Sequence, residues 1–423
     1  MVKKKWLVIA GMIVALLLAL SSIAAAPVQA ASNPWRTMQS QPGHFSSPIH
    51  YGQVAEPVTP DRPGQGPSGT TSVVYTPSMI QTAYNFMSAS NGKGETIAII
   101  DAYGDPTLTT DVAAFDKKFS LKPTGSINVR NADKQPVINR SNQSDAAGWA
   151  IETALDVEWA QANAPDATID LVVGYNDTFS YLLDAVDYAI GLSPTVISMS
   201  FGAPEDEFTA NTAKSTLSPW ESAFNTASGK GIILVASSGD GGATEGTGAL
   251  TVDYPAASQY VIGVGGTTLN LTSAGGYVSE TAWSDSGGGY GAASLSSVFG
   301  SEPGFQTSAK ITDSTGMRGV PDVAFDANPN TGVYVYQNGW WAVGGTSVGA
   351  PNWAAIVADY AGANSLSLNL TNLYGAVYGN TTNYPKDIHD ITSGNNGHYS
   401  AGTGWDAVTG IGTPNVGGLL TTP

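Results

Sequence analysis

Short apolar runs alternate with helical stretches through the middle of the chain. The runs have the length of buried strands, and they lie at 96–100, 169–173, 196–200, 232–236 and 261–264. Apolar residues recur with a helical period at 147–162, 181–190, 219–228 and 353–360. Strands that alternate with helices are typical of βαβ units. The pattern therefore predicts an α/β fold, with a mostly parallel sheet and helices on both of its faces.

The first 30 residues have the pattern of a targeting segment. Lys3, Lys4 and Lys5 precede an apolar run that extends to about Ala26, and Val28-Gln29-Ala30 fits a cleavage site of small residues. This pattern predicts a signal peptide over 1–30 and a secreted, extracellular body. The apolar run is long for a signal peptide, so an uncleaved anchor at the outer face of the cell membrane is the alternative.

Residues 31–74 are rich in Pro, Gly, Ser and Gln. Such a composition predicts an extended arm or a short pro-segment, not a domain with a core of its own. From Tyr75 the apolar pattern becomes regular. The expected organisation is therefore the signal peptide at 1–30, the arm at 31–74 and one large domain at 75–423.

The charge balance and the lack of cysteine narrow the class of protein. The chain has 17 Lys and Arg against 34 Asp and Glu, for a net charge of −17, which argues against nucleic acid or an anionic membrane as a partner. The acidic balance is compatible with work in acid, where carboxylates lose their charge, and equally with solubility alone. Without cysteine, no disulfide can restrain an exported chain, so a bound metal would be an unsurprising substitute.

A glycine-rich turn near the C-terminal end carries the first candidate for chemistry. In Gly344-Gly345-Thr346-Ser347, the serine comes directly before the last predicted helix. Backbone N–H groups and the positive end of a helix dipole suit a nucleophile whose attack creates an oxyanion. The alternative is that Ser347 is only an N-cap in a turn.

Histidine, the usual base for a serine nucleophile, is not placed in the expected interval. His44 and His50 lie in the arm, and His389 and His398 lie near the C-terminus. None of the four lies between Asp101, where the first predicted strand ends, and Ser347. If Ser347 is a nucleophile, its base must be another kind of residue.

Carboxylates do lie in that interval. Glu152 and Asp156 are spaced i, i+4 and share one face of a predicted helix whose other residues are largely apolar. A half-buried acid pair would share a proton and titrate as a unit. A solvated helix face is the alternative. Asp240 follows another predicted strand, where a simple turn aspartate is the alternative.

Together these residues resemble the sedolisins, or serine-carboxyl peptidases. Further motifs occur in the order of that family over roughly 75–414. They are Tyr75-Thr76-Pro77 with Ala83-Tyr84-Asn85, Glu152 to Val157, Ser237 to Gly241, Tyr254 to Ser258, Val264 to Leu269, Ser286 to Gly289 and Arg318 to Val323. Because many separate motifs agree, the resemblance is more specific than the serine turn alone. It implies a subtilisin-like α/β fold and a peptidase catalytic domain over 75–423.

Carried over residue by residue, the resemblance implies four catalytic residues. Ser347 would be the nucleophile, Glu152 the general base and acid, and Asp156 the partner that orients Glu152. Asp240 would help to form the oxyanion hole. A carboxyl group donates a hydrogen bond to an oxyanion only while it is protonated, so such a site is expected to work best in acid.

The resemblance also implies a substrate contact and a structural metal. Ser286, Gly287 and Gly288 could pair with an extended substrate, with a flexible loop as the alternative. One structural Ca²⁺ ion is expected in the C-terminal loops, where an ordinary Asp and Gly turn region is the alternative. The implied calcium ligands are the carboxylates of Asp390 and Asp406 and the carbonyls of Ile391, Gly402 and Gly404.

Three features depart from the family's pattern. Phe201 stands where the family commonly has tryptophan, which puts the substrate cleft or the outer carboxylate network in doubt. Asp101 stands where an outer glutamate often extends that network. Family members usually have a long folded pro-region that inhibits the enzyme and assists folding, whereas here only the arm lies between the signal and the domain. Either the arm does a reduced version of that job, or the enzyme folds without it.

The leading hypothesis is a secreted, acid-acting endopeptidase that cleaves protein or peptide substrates through an acyl-enzyme. It is expected to be a monomer with no nucleic-acid partner, in contact with a membrane only if the N-terminal segment is uncleaved. One alternative is a catalytically idle relative that binds peptide or protein at the cell surface. Another is an esterase or other acyl hydrolase that uses the same residues.

Overall fold

The computed structural model describes residues 35–38, 43–47, 49–59, 61–86, 90–132, 146–311 and 315–422. Its strands are β1 Arg36–Thr37, β2 His50–Gln53, β3 Gly64–Gln65, β4 Val73–Val74, β5 Thr96–Ala102, β6 Ile127–Asn131, β7 Thr168–Gly174, β8 Val196–Met199, β9 Ala203–Pro204, β10 Ile233–Ser237, β11 Asp253–Tyr254, β12 Val261–Leu271, β13 Tyr277–Ala282, β14 Gly289–Tyr290, β15 Gly319–Val320, β16 Val323–Asp326, β17 Val333–Tyr336, β18 Trp340–Gly344, β19 Ile388–His389 and β20 Thr413–Pro414.

The α-helices of the described residues are α1 Pro77–Ala83, α2 Leu108–Phe119, α3 Ala146–Asn163, α4 Phe179–Leu192, α5 Ala210–Thr216, α6 Ser218–Gly229, α7 Ser296–Phe299, α8 Gly304–Ala309, α9 Gly349–Asn364, α10 Leu370–Asn372, α11 Tyr384–Asp387 and α12 Val416–Leu419. Single 3₁₀ turns lie at Glu205–Glu207, Gly242–Thr244, Ala293–Leu295, Pro329–Thr331 and Thr346–Val348, and a π-helical turn lies at Leu373–Tyr378. The predicted signal peptide at 1–30 lies outside the described residues. No helix within them is long and apolar enough to cross a membrane.

Eight strands form the central sheet, in the spatial order β13-β12-β10-β8-β5-β7-β6, with β16 also paired to β12. Every pair is parallel except β12 with β13. The five strands predicted from apolar runs are β5, β7, β8, β10 and β12, and all of them lie in this sheet. The predicted parallel sheet is confirmed. The edge strands β6 and β13 were not predicted, because they are half exposed and carry polar residues.

Helices cover both faces of the sheet, as predicted. Alternate residues of β5 point to the two layers. Ile97 and Ile99 pack in one hydrophobic core with residues of α3 and α9, whereas Ala98 and Ile100 pack in a second core with residues of α4 and α6. The chain is therefore an α/β protein with three layers, and the carboxyl ends of its parallel strands meet at one rim of the sheet.

Helix α3 is buried almost all round. Every residue in it except Ala147 is buried, and it packs against α9, α2, β5 and β17. A helix enclosed in this way has no solvated face. Glu152 and Asp156, which lie on α3, are therefore taken out of water entirely, and the alternative of a solvated acidic face is wrong.

The arm packs on the domain through backbone pairing. Strand β2 lies between β1 and β18 in a four-stranded sheet of the order β1-β2-β18-β17, and both of its pairings are antiparallel. Strand β18 leads directly into the turn that carries Ser347. The described part of the arm is thus extended, and it is joined to the element that leads to Ser347.

Candidate active site

The turn between β18 and α9 positions Ser347. Gly345 has φ +116, a conformation that favours glycine, and lets the chain leave β18 sharply. Ser347 then lies in the 3₁₀ turn Thr346–Val348, directly before α9, and is fully buried. Its hydroxyl caps no backbone N–H of the helix. The N-cap alternative is therefore not supported, and the hydroxyl is left for another use.

Helix α3 brings two carboxyl groups toward this serine. Glu152 and Asp156 are both 0% exposed. The Ser47 hydroxyl of the arm donates to Oε2 of Glu152, and the Ser200 hydroxyl donates to Oδ1 of Asp156 at 2.8 Å. The Ser200 hydroxyl also lies 3.5 Å from the backbone carbonyl of Ser347. Ser200 was not predicted as a site residue, although its place at the end of an apolar strand put it on the rim of the sheet.

Burial dominates the titration of these two acids. It raises the pKa of Glu152 well above its usual value, and the charge of Asp101 raises it further, while hydrogen bonding from Ser47, Ser347 and Asp156 lowers it. Burial also raises the pKa of Asp156, as do the charges of Glu152 and Asp101. The favoured state of the pair therefore has one shared proton, which Asp156 donates in a hydrogen bond to Glu152.

The Ser347 hydroxyl lies close enough to Glu152 to favour its charged form. It makes no hydrogen bond of ordinary length and angle among the described residues. Contacts in a catalytic site without substrate are commonly long or poorly aligned and tighten when the substrate binds. The structure therefore brings the Ser347 hydroxyl near Glu152 without a formed hydrogen bond between them.

Asp101 extends the carboxyl cluster. It is the residue before the last in β5 and is 0% exposed, and neither of its oxygens has a hydrogen-bond partner in the described part of the chain. Burial raises the pKa of Asp101 to about 7, with a smaller opposing effect from the Thr153 hydroxyl. The role of Asp101 was uncertain from the sequence. In the structure it is a neighbour whose charge acts on both Glu152 and Asp156.

Asp240 lies on the other side of the serine turn. Its Oδ1 accepts hydrogen bonds from the backbone N–H of Thr346 at 2.8 Å and from the Thr346 hydroxyl at 2.9 Å. Its Oδ2 lies 3.5 Å from Nε2 of His50 in the arm. Burial raises the pKa of Asp240 well above its usual value, the Thr346 hydrogen bonds lower it and the charge of Asp285 raises it. Asp240 is thus bonded to the residue before Ser347, and its raised pKa favours the protonated form, which can donate a hydrogen bond.

The segment Ser286 to Gly288, which was predicted to contact substrate, makes hydrogen bonds within the protein. The Ser286 hydroxyl accepts from the Gly266 N–H at 2.8 Å and donates to the Val408 carbonyl at 2.9 Å. The Gly287 N–H donates to the Gly239 carbonyl at 2.8 Å. These bonds hold the run beside the segment that leads to Asp240. A contact of Ser286, Gly287 or Gly288 with substrate stays a prediction.

The arm covers the site. Its described residues Ser46, Ser47 and His50 line a cavity of about 350 Å³ together with Asp240, Glu245 and Asp253. Oε1 of Glu245 and Oδ1 of Asp253 have no hydrogen-bond partner among the described residues. This arrangement could not be predicted from the sequence, because no local pattern indicates where an extended arm will pack.

The predicted calcium ligands lie together in the C-terminal loops. The Gly404 N–H donates to both carboxylate oxygens of Asp390 at 3.1 Å, and the Gly402 N–H donates to Oδ2 of Asp406 at 3.1 Å. The carbonyls of Ile391, Gly402 and Gly404 accept no hydrogen bond within the described residues. Both oxygens of Asp406 also accept hydrogen bonds from Val408 or Thr409. Two carboxylates and three carbonyls free of hydrogen bonds within the described residues are the kind of oxygen donors that Ca²⁺ prefers, so the chemistry of this set fits the ion.

Comparisons with known proteins give a consistent result. A model of the subtilase family, Peptidase S8, matches residues 92–373. Kumamolisin of Bacillus sp. (strain MN-32) is 36% identical over 364 residues, which cover 80% of this chain and 62% of kumamolisin. A tripeptidyl-peptidase of Aspergillus fumigatus is 26% identical over 425 residues, with 82% of this chain and 64% of that protein covered.

Among solved structures, Pseudomonas sedolisin, a serine-carboxyl proteinase complexed with two molecules of pseudo-iodotyrostatin, is 30% identical with a TM-score of 0.71. The match covers 83% of this chain and 98% of the sedolisin chain. The fold, the carboxyl groups around Ser347 and these matches agree: the chain belongs to the sedolisins, the serine-carboxyl peptidases within the subtilase family. It spans about six tenths of the length of kumamolisin.

The buried carboxyl groups predict that the protein is most stable in acid. Burial raises the pKa of Asp101 to about 7, of Glu221 to about 7 and of Glu205 to about 8, against about 4 in an unfolded chain. The folded state then binds more protons, so the stability from these groups is fully present below about pH 4 and is lost as the pH rises through about 7 to 8. The melting temperature, measured by calorimetry, should fall from pH 4 to 8.

Glu221 allows this prediction to be tested away from Ser347. Its carboxyl group accepts a hydrogen bond from Tyr254, which belongs to the core formed with α4 and α6. Glu221→Gln removes one titrating group and should reduce the slope of melting temperature against pH over the same range. A melting temperature that rises from pH 4 to 8 would contradict the assignment.

Proposed function

We propose that this protein is an acid-acting serine-carboxyl endopeptidase, which hydrolyses peptide bonds of proteins through an acyl-enzyme on Ser347. The observation that carries the proposal is the set of buried carboxyl groups around one serine whose hydroxyl has no hydrogen-bond partner among the described residues. Ser347 acts on Glu152, the Ser200 hydroxyl lies between Asp156 and the Ser347 carbonyl, and Asp240 accepts from the neighbouring Thr346 N–H. Family membership supports the reaction class.

Each residue has a defined step. Glu152 accepts the proton of the Ser347 hydroxyl as its oxygen attacks the substrate carbonyl carbon. Asp240, protonated, and a backbone N–H donate to the resulting oxyanion. Glu152 then gives its proton to the leaving amine as the C–N bond breaks. Water repeats the sequence on the acyl-enzyme, which releases the second product and restores the Ser347 hydroxyl.

The same groups set the pH range. Asp240 works as a donor only while it is protonated, and burial raises its pKa. Activity should therefore persist in acid and be lost as the pH rises and Asp240 ionises. Asp156 orients Glu152 and holds the proton that the pair shares, so it should be needed over the same range.

The path of the arm favours an endopeptidase over an exopeptidase. The arm crosses the site from the backbone of Gly202, past Glu152, to Asp240 and Trp283. A cleft that accepts a continuous chain on both sides of the base can accept an internal peptide bond. A catalytically idle binding relative is the alternative, and the presence of all four catalytic residues argues against it.

Cleavage of casein tests the proposal. The full chain, incubated until any processing is complete, should hydrolyse casein between about pH 2 and 6 and lose activity toward neutral pH. Ser347→Ala should abolish hydrolysis and leave the fold intact by circular dichroism, because the hydroxyl has no hydrogen-bond partner in the part of the chain that the structure describes. Glu152→Gln should reduce kcat by about 10²-fold or more.

Three results would contradict the casein prediction. Full activity of Ser347→Ala would reject the nucleophile, and no cleavage at any pH would favour the idle relative. Cleavage of simple esters without cleavage of peptides would favour an acyl hydrolase.

The arm is proposed to be a short pro-segment that blocks the site until it is cut. The Ser47 hydroxyl is hydrogen-bonded to Glu152, and His50 lies beside Asp240. A substrate therefore cannot reach Glu152 and Asp240 while the arm is in place. If the arm is processed by the enzyme itself, N-terminal sequencing of the product after acid treatment should find a new terminus within 31–74. Ser347→Ala should keep the original terminus, and equal processing of both chains would contradict self-cleavage.

One structural Ca²⁺ ion is proposed in the C-terminal loops, held by Asp390, Ile391, Gly402, Gly404 and Asp406. The ion would tie two loops together in a chain without disulfides. Chelation should lower the melting temperature, since a ligand at 100 times its Kd stabilises the folded state by about 2.7 kcal/mol. Asp390→Asn should remove the effect of the chelator, and an unchanged melting temperature of the wild type on chelation would reject the site.

The proposed location is extracellular, with the N-terminal segment removed as a signal peptide or kept as an anchor at the outer face of the membrane. The composition and the acidic charge support a monomer that acts on protein or peptide substrates without a nucleic-acid partner.

A further inference from the structure

Phe45 of the arm is held in an aromatic pocket beside the catalytic residues. It is 1% exposed, and its ring centroid lies 4.5 Å from that of Phe179, 4.9 Å from that of Phe201 and 5.1 Å from that of Trp220. Phe179 and Trp220 meet it edge to face, an arrangement that aromatic pairs prefer. The three surrounding rings come from α4, from the segment after β8 and from α6. The pocket therefore belongs to the domain, and the arm only fills it.

The backbone around Phe45 is held as that of a bound peptide would be. The Phe45 N–H donates to the Asp177 carbonyl at 2.8 Å, and Ser46 and Gly202 exchange two backbone hydrogen bonds of 3.0 Å. Pairing of an extended segment with an open backbone edge is a common mode of peptide recognition. Two residues after Phe45, the Ser47 hydroxyl contacts Glu152. This register places Phe45 on the amino-terminal side of the position at which the general base acts.

The residue before Phe45 also has a specific partner. Nδ1 of His44 lies 2.7 Å from Oδ1 of Asp177, and the Tyr103 hydroxyl donates to the same oxygen at 3.0 Å. The side chain of His44 is 37% exposed, whereas that of Asp177 is 6% exposed. A buried carboxylate at the base of an open position favours a side chain that can donate a hydrogen bond to it, above all a cationic one.

Phe201 gives this pocket its size. Its ring lies 4.9 Å from Phe45, 6.3 Å from Trp220 and 6.4 Å from Trp149. Protein interiors are close-packed, so a tryptophan in the place of Phe201 would take up room that the Phe45 ring now occupies. The departure from the family's pattern at this position therefore falls on the wall of the pocket.

The geometry points to a specificity-determining subsite, in which Phe179, Phe201 and Trp220 select an aromatic substrate side chain. Asp177 selects a basic or hydrogen-bond-donating side chain one position before it. The substrates would be peptides with such a pair, cut beside the residue two positions after the aromatic one. The assignment rests on the proposed peptidase function and adds which peptides the site takes. Arm and substrate compete for the same rings.

A matched set of substrates tests the subsite with the full chain. Internally quenched peptides containing Gly-His-Xaa-Ser-Ser, with Phe, Leu or Ala at Xaa, differ only in the side chain offered to the pocket. Loss of a buried aromatic side chain should lower kcat/KM by about 10- to 100-fold from Phe to Ala, with Leu between them. Replacement of His by Ala in the Phe peptide should lower kcat/KM on the order of tenfold. Mass spectrometry of the products should locate the cut beside the second residue after Xaa.

Phe201→Trp should reduce the preference for Phe over Leu, because the larger ring narrows the pocket. Phe305→Trp is the control, since Phe305 packs near Tyr374 and not near Phe45, and it should keep the wild-type preference. Equal kcat/KM for the Phe and Ala peptides in an enzyme that cleaves casein would overturn the subsite while leaving the peptidase function intact.

A binding measurement separates the two proposals if no peptide is cut. Phe45→Ala in the full chain empties the pocket, so the Phe peptide should raise the melting temperature of this variant and the Ala peptide should not. Binding of the Phe peptide without cleavage would support the subsite and reject the peptidase. No difference between the two peptides in binding or in cleavage would reject the subsite.

Discussion

The complete removal of Glu152 and Asp156 from water is the constraint on which the site depends. A single buried carboxylate is costly unless it is paired or protonated. Two of them on one buried helix leave one stable solution, in which the pair keeps a proton and hydroxyl groups satisfy the remaining oxygens. Ser200 serves Asp156 in this way, and Ser47 serves Glu152. The charge state that suits the packing is also the charge state that a base and its orienting partner need in acid.

The fold supplies this environment through the ends of its parallel strands. Asp101 lies near the end of β5, Ser200 follows β8 and Asp240 follows β10, so neighbouring strands bring three polar groups to one rim. The sheet packs against a hydrophobic core on each face, and Asp101 and Ser200 are fully buried at its rim. Thr346 links Asp240 to the serine turn, so the proposed oxyanion donor and the proposed nucleophile are held by one short segment.

The inner strands of the sheet and the acidic pair on α3 could be predicted from the sequence. The edge strands and the contacts of the arm could not, for physical reasons. Continuous apolar runs identified the inner strands, because a strand buried on both faces has no polar positions. The half-exposed β6 lacks that pattern. Glu152 and Asp156 could be found from their spacing of four residues. Their apolar neighbours indicated that the helix, and with it the acidic pair, is buried. The contacts of Phe45, Ser47 and His50 could not be found, because long-range packing of an arm leaves no periodicity in its own residues. The internal hydrogen bonds of the Ser286 hydroxyl could not be predicted either. A serine near glycines has the same sequence pattern whether its hydroxyl faces the core or a ligand.

The pairing of β2 with β18 affects what happens to the chain after a cut beside Ser47. Strand β2 lies after Ser47 and stays covalently joined to the domain through residues 54–74, whereas β1 lies before it. A cut there would detach β1 and leave β2 hydrogen-bonded along β18. The new N-terminus would then remain next to the serine turn. Without β2, the backbone of Trp340–Gly344 would become an open sheet edge, of the kind that invites pairing with other chains. The half of the arm that remains would thus protect the mature enzyme from self-association, while the half that leaves opens the cleft.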